Sequence, residues 1–262
     1  MKEESKMVFS DFHFYSEVLG IQTAAYVLLP DEETLMRSRT AVPVLYLLHG
    51  LSDDHTMWLR QTRVESYAAK RRLAVVMPAA NRSFYMDMVH GAQYDTFIAE
   101  ELPRVIERYF PVGHKRSQRF AAGLSMGGYG AIKLGLSRPN RYAAIASLSG
   151  ALGIENVYDE GKSASFLHEM DGIYGGREQL LTGPGSLSRL AQRMSRTPER
   201  APKIYIACGT EDFLLEQNKR FVQHFGQALP IEYHTEPGAH TWEFWDRNIG
   251  RAINWLPLEE EA

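Results

Sequence analysis

Gly123, Ser125 and Gly127 stand in "AGLSMGGYG" with the spacing G-x-S-x-G. That spacing suits a nucleophile: a strand turning sharply into a helix lifts the serine hydroxyl clear, and side chains two residues before or after it would collide. An ordinary tight turn has the same pattern, but strand-like "QRFAAGL" before it and helix-like "GYGAIKLGL" after it favour the nucleophile. A serine hydroxyl needs a base, and the base needs an orienting carboxylate. Among nine histidines, His240 in "EPGAHTWEFW" lies in a glycine-containing loop between strand-like "IEYHT" and the last helical stretch, where ligands meet parallel sheets. His234, inside that stretch, reads as packed. "IYIACGTEDFLLEQN" leaves a buried strand and offers Glu211 and Asp212; Asp212 is chosen as the acid, although it also suits a helix N-cap worth about 1 kcal/mol.

The chain order Ser125, Asp212, His240 is that of α/β-hydrolases and not of chymotrypsin or subtilisin. Negative charge on a carbonyl oxygen needs amide donors. "LYLLHGLSDD" bends at His49-Gly50, so the backbone N–H groups of Leu51 and Met126 are the expected oxyanion hole, the latter at a helix N-terminus. His49 is read as structural. Trp58 and Arg60 in "HTMWLRQT" are candidates for a substrate pocket or for the start of a helix with a half-buried Trp.

These residues need a frame. "HFYSEVLGI" and "QTAAYVLLP" read as an antiparallel pair, and "VPVLYLLHG", "RLAVVMPAA", "QRFAAGLS", "RYAAIASLSG" and "APKIYIACGT" as buried strands. Helical patterns span Met57 to Lys70, "DTFIAEELPRVIERYF" with a kink at Pro103, Met126 to Leu136, Leu214 to Ala228 and Thr241 to Leu256. Alternation of this kind predicts an α/β fold with a mostly parallel central sheet covered by helices on both faces. The stretch 151–202, rich in Gly, Ser, Arg and Glu, breaks the rhythm as an insertion, either a lid or a surface excursion.

The chain has 262 residues, 44% of them hydrophobic, enough for one domain over 1–262 with a large core. A net charge of −3 argues against nucleic acid or an anionic membrane as partner. "MKEESKMVFSDFHF" holds acidic residues and no long apolar run, so neither signal peptide nor anchor is expected. A lone cysteine, Cys208, permits no internal disulfide and fits a reducing, cytoplasmic setting. No metal or cofactor is expected, since no His, Cys and carboxylate cluster has ligand spacing.

Together "VLYLLHGLSDDHTMWLRQT", "AEELPRVIERYFP", "AGLSMGGYGAIKLGL", "CGTEDFLLEQN" and "PGAHTWEFW" resemble the esterase D family of α/β-hydrolases, and most of all its bacterial tributyrin and acetyl esterase branch. The resemblance covers nearly the whole chain and is weakest over 151–202. It implies the α/β-hydrolase fold, with nucleophile, acid, base and first oxyanion donor at Ser125, Asp212, His240 and Leu51. In this branch Ser-Gly-Asn often follows the His-Gly pair, whereas here Ser52-Asp53-Asp54 does, which argues against anionic acyl groups. The expected function is therefore that of a serine carboxylesterase hydrolysing acetyl to butyryl esters through an acyl-enzyme. Acyl transfer and S-formylglutathione, feruloyl or acetylxylan ester hydrolysis stand as alternatives, a non-catalytic binding module is disfavoured by the triad, and homo-oligomerisation is left open.

Overall fold

The computed structural model describes residues 6–31 and 41–258. Its sheet opens with a hairpin, β1 (Met7–Ser16) against β2 (Ile21–Pro30). The first strand thus ends earlier than "HFYSEVLGI" suggests, because 17–20 is the turn. Gly20 takes φ +69°, and buried Glu101 accepts from the Ser16 hydroxyl and, at 2.9 Å, from the Glu17 amide. Six further strands follow: β3 (Val44–Leu48), β4 (Ala74–Pro78), β5 (Arg119–Leu124), β6 (Ala144–Leu148), β7 (Lys203–Gly209) and β8 (Ile231–Glu236). The sheet order is β1-β2-β4-β3-β5-β6-β7-β8, parallel from β4 onward, so the later strands bring their carboxyl ends to one edge.

Successive side chains on a strand face opposite ways, and β3 shows the result. Val44, Tyr46 and Leu48 enter one core and Leu45 and Leu47 the other. The first core is covered by a helix over 94–109 (α3), by α4 (Met126–Ser137), by three helices between β6 and β7, namely α5 (Ala164–Tyr174), α6 (Arg177–Thr182) and α7 (Leu187–Met194), and by α8 (Leu215–Phe225). The second is covered by α1 (Met57–Gln61), α2 (Val64–Lys70) and α9 (Trp242–Trp255), labels here following chain order. Among the described residues no helix is long and apolar enough to cross a membrane.

Two local departures have clear causes. The helical stretch expected from Met57 to Lys70 divides at Thr62-Arg63. The Thr62 hydroxyl donates to the Trp58 carbonyl at 2.6 Å, and Arg63 turns its amide and guanidinium onto Asp246. In α3, Pro103 lacks an N–H and so leaves the Ala99 carbonyl, four residues back, without its helical donor. Arg141 supplies one, and the turn just before Pro103, Phe97–Glu101, is a π-helix.

The core encloses several tyrosines. Burial pushes Tyr142 and Tyr205 up to about 12, and Tyr46, Tyr129 and Tyr174 well above the usual phenol range. Above pH of about 10 the unfolded chain loses phenolic protons that the folded chain keeps, so this contribution to stability is complete below pH 10 and is lost as pH rises toward 12. A titration followed at 295 nm should therefore show a cooperative step between these limits that coincides with loss of far-ultraviolet circular dichroism. Gradual ionisation with the dichroism intact would contradict it.

Candidate active site

β5 ends at Leu124, and Ser125 follows with φ +51° and ψ −116°, a backbone region that non-glycine residues rarely occupy. Its neighbours enforce it. The Ser125 amide donates to the Leu148 carbonyl at 3.0 Å, and the Ser125 carbonyl accepts from Tyr129 at 3.0 Å and Ala151 at 3.1 Å. The close approach also requires bare backbone on both sides. A Cβ on Gly127 would meet the Leu48 carbonyl oxygen and come 2.7 Å from that of His49, and a Cβ on Gly123 would come 2.8 Å from the Gly127 Cα.

The loop after β3 stands over this turn. Because the Ala80 amide can only donate, His49 Nε2 must accept it at 3.0 Å, which puts the ring proton on Nδ1 for donation to the Gly50 carbonyl at 2.7 Å. Burial lowers the His49 pKa and agrees with this neutral form. The Tyr85 hydroxyl donates to the His49 carbonyl at 2.9 Å, and the Gly50 amide is taken by Asp53 at 3.1 Å. Among the described residues nothing accepts from the Leu51 amide. Met126 opens α4, so its amide has no intrahelical acceptor.

Asp212 follows β7 and its carboxylate is fully buried. It accepts from the Leu214 amide at 2.8 Å, two residues on, and faces His240 Nδ1 at 2.9 and 3.1 Å; it does not cap the next helix, whose N-cap is Leu214. Burial pushes this carboxyl up, but bonds from His240, Leu214 and Ser149 prevail and hold it below the ordinary range. Glu211 points away, exposed, onto Thr210 and the Gly238 amide. The His240 ring lies between Phe213, 4.6 Å away, and the edge of Trp245, 4.8 Å away. Its Nε2 has no protein partner among the described residues, Ser125 Oγ included. β5, β7 and β8 carry Ser125, Asp212 and His240 to the same edge of the sheet.

Other expected residues fall elsewhere. Trp58 is 1% exposed, donates Nε1 to the Leu48 carbonyl at 2.9 Å and packs edge-on against Trp242. It supports the loop from beneath. Arg60 points into solvent, its guanidinium 3.9 Å from the Met57 sulfur. His234 is exposed, not packed: β8 is an edge strand, and the ring stacks on Tyr205 and pairs with Glu232 at 2.7 Å. Cys208 is buried, and burial pushes its thiol up to about 12. Ser149, Phe213 and Trp245 were not singled out from sequence. Ser149 takes φ +48°, supports Asp212 and accepts from Trp245 Nε1 at 3.1 Å, and the small polar end of "ASLSG" is its only trace in the sequence. Among the described residues no group of three or more His, Cys, Asp or Glu is arranged to hold a metal ion.

The sheet order, the strained turn and the carboxylate-bound histidine define an α/β-hydrolase, and comparison with known proteins makes it a serine carboxylic ester hydrolase. The Esterase family model matches residues 16–256, and the chain belongs to this family. It is 28% identical over 261 residues to the acetyl esterase of Caldicellulosiruptor saccharolyticus, covering 95% of this chain and 98% of that protein. Among solved structures it resembles FphF, a fluorophosphonate-binding serine hydrolase of Staphylococcus aureus. The TM-score is 0.88 at 30% identity, over 97% of this chain and 99% of that one. The S-formylglutathione hydrolase FrmB of Staphylococcus aureus gives a TM-score of 0.86 at 30% identity, over 96% and 99%.

The elbow yields a sharp expectation. Gly127→Ala drives a methyl group into two backbone carbonyls, so it should cost at least about 2 kcal/mol of stability, and esterase activity with it. Thermal unfolding and hydrolysis of p-nitrophenyl acetate measure both. Wild-type behaviour in the two would mean that the turn is looser than described.

Proposed function

We propose that Ser125, His240 and Asp212 form a catalytic triad that hydrolyses short-chain acyl esters, acetyl to butyryl, through an acyl-enzyme. The supporting observation is that buried Asp212 holds His240 by Nδ1, leaving Nε2 unpaired at the sheet edge that also carries Ser125. Hydrogen bonds of this kind are often open without substrate and close in the complex. Ser125 Oγ attacks the ester carbon as Nε2 takes its proton, and the amides of Leu51 and Met126 donate to the oxyanion. Collapse expels the alcohol, which takes the proton from His240. Water, deprotonated by the same ring, then releases the acid and restores the serine. Asp212 keeps the ring in one tautomer and stabilises its positive form. In this reading the chain is one domain, and 151–202 is a fixed wall: Met170, Ile173, Leu187 and Leu190 enter the common core, while the exposed surface is too charged for a lipid-facing lid.

A fluorophosphonate probe should label Ser125 alone, as peptide mass mapping would show. Asp212→Asn should lower kcat by at least about a thousandfold, whereas Glu211→Gln should stay within about threefold of wild type. The reverse ranking would move the acid by one residue, and a label elsewhere would remove the triad.

The short acyl preference rests on how the elbow is packed. Met126, Tyr85, Met86 and Leu152 are all at most 5% exposed, so the space behind the serine is filled by side chains. Cavities of about 780 and 340 Å³ exist, but neither is lined by Ser125, Asp212 or His240. The likeness to an acetyl esterase points the same way. Each methylene that finds apolar contact adds about 0.8 kcal/mol, so rates should climb from acetate to butyrate and then fall at the wall. With p-nitrophenyl esters, kcat/KM for the butyrate should exceed that for the decanoate at least about tenfold, or about 1.4 kcal/mol. A steady rise through decanoate would refute the filled pocket. Thioester hydrolysis is the second reading, favoured by the likeness to FrmB, and would use the same groups.

A further inference from the structure

The cavity of about 780 Å³ lies between α4, α7 and the start of α3. Its α4 residues, Lys133 and Ser137, begin about two turns beyond Ser125, with Arg138 just past the helix end, so it is separate from the proposed catalytic edge. Its charge is one-sided. Lys133, Arg138, Arg189, Arg193 and Arg196 face a single carboxylate, Asp95, in a chain whose net charge is −3. Asp95 is already spoken for: it pairs with buried Lys133, which also donates to the Tyr85 carbonyl at 2.9 Å, and with Arg138 at 2.7 Å. Arg189, Arg193 and Arg196 have no ion-pair partner among the described residues.

Helix stability does not account for these three arginines. Arg189 and Arg193 lie one turn apart on α7 and Arg196 follows in the turn after it, yet Arg189 and Arg193 are a like-charge i, i+4 pair, which is unfavourable. Ser186 caps α7 and accepts from the Arg189 amide, so Arg189 sits in the first turn, where the helix dipole disfavours a cation. Only Arg193, in the last turn, suits the dipole. A multiply charged anion in the cavity would offset both penalties, and planar guanidinium forks match phosphate and carboxylate oxygens two at a time. The volume suits a small molecule and not a polymer.

We propose that this cavity binds a small polyanion carrying two or more phosphate or carboxylate groups, held by Arg189, Arg193 and Arg196. Isothermal titration of the full chain with pyrophosphate, and separately with citrate, tests this at low ionic strength. At least one should bind saturably, and the tighter of the two identifies the anionic group. Arg189→Gln combined with Arg193→Gln should weaken that binding at least about tenfold, and Arg196→Gln alone by about threefold. All three substitutions lie on exposed side chains, and hydrolysis of p-nitrophenyl acetate by each variant should match wild type, which confirms folding independently of the anion. Absence of saturable heat with both anions, or binding that the arginine substitutions leave unchanged, would reduce the cluster to a solvated helix face.

Discussion

A single backbone conformation constrains the rest of this molecule. Ser125 holds φ +51°, at a cost of order 1–3 kcal/mol, and stays there because three backbone hydrogen bonds from α4 and the β6 end leave no alternative. Those bonds form only if the first turn of α4 lies against the β3 and β5 ends, which is why Gly123 and Gly127 carry no side chain. The same approach sets the Met126 amide beside the serine and the Leu48–Gly50 backbone across from it. Strain, close packing and the proposed oxyanion hole are thus one geometric fact.

Around that turn the charges are arranged to stay put. A buried carboxylate without partners would take up a proton, but Asp212 stays below the ordinary range because the Leu214 amide and the His240 ring point at it, with a smaller contribution from Ser149. Ser149 in turn accepts from Trp245, whose edge meets the His240 ring. The imidazole is therefore fixed by a carboxylate on one side and by aromatic rings on two others, leaving it little freedom to leave the edge. Phe213 is the exception in this packing: it is 70% exposed and lies over the ring, open to whatever approaches from solvent.

Much of this was legible in the sequence, for physical reasons. The parallel strands were visible because strands covered on both faces are continuous apolar runs, and the serine turn because its glycines sit where collisions would occur. Asp212 and His240, which the structure brings into contact, were pointed to by loops at the ends of strands. What failed depended on contacts distant in sequence. Nothing near "HFYSEVLGI" announces that Glu101 will cap a turn inside it, and nothing near Trp58 announces Trp242. The burial of Tyr85 and Met86 likewise depends on how their loop folds back over α4. Ser149 was missed because a small polar residue at a strand end is common and its role exists only once β7 and α9 are in place.

Asp53 shows how one substitution within a shared loop can tune a shared chemistry. Burial raises its pKa, while the bond from the Gly50 amide pulls the other way. By taking the Gly50 amide, the carboxylate fixes the peptide that precedes Leu51 and so helps aim the Leu51 N–H, which has no acceptor among the described residues. The same carboxylate is near enough to His240 to interact with it electrostatically. On the function proposed above, the Asp53 carboxylate would also repel an acyl chain that ends in a carboxylate. On the same proposal, the loop that would present amides to an oxyanion in the transition state would also disfavour, in the ground state, acyl groups that carry a negative charge.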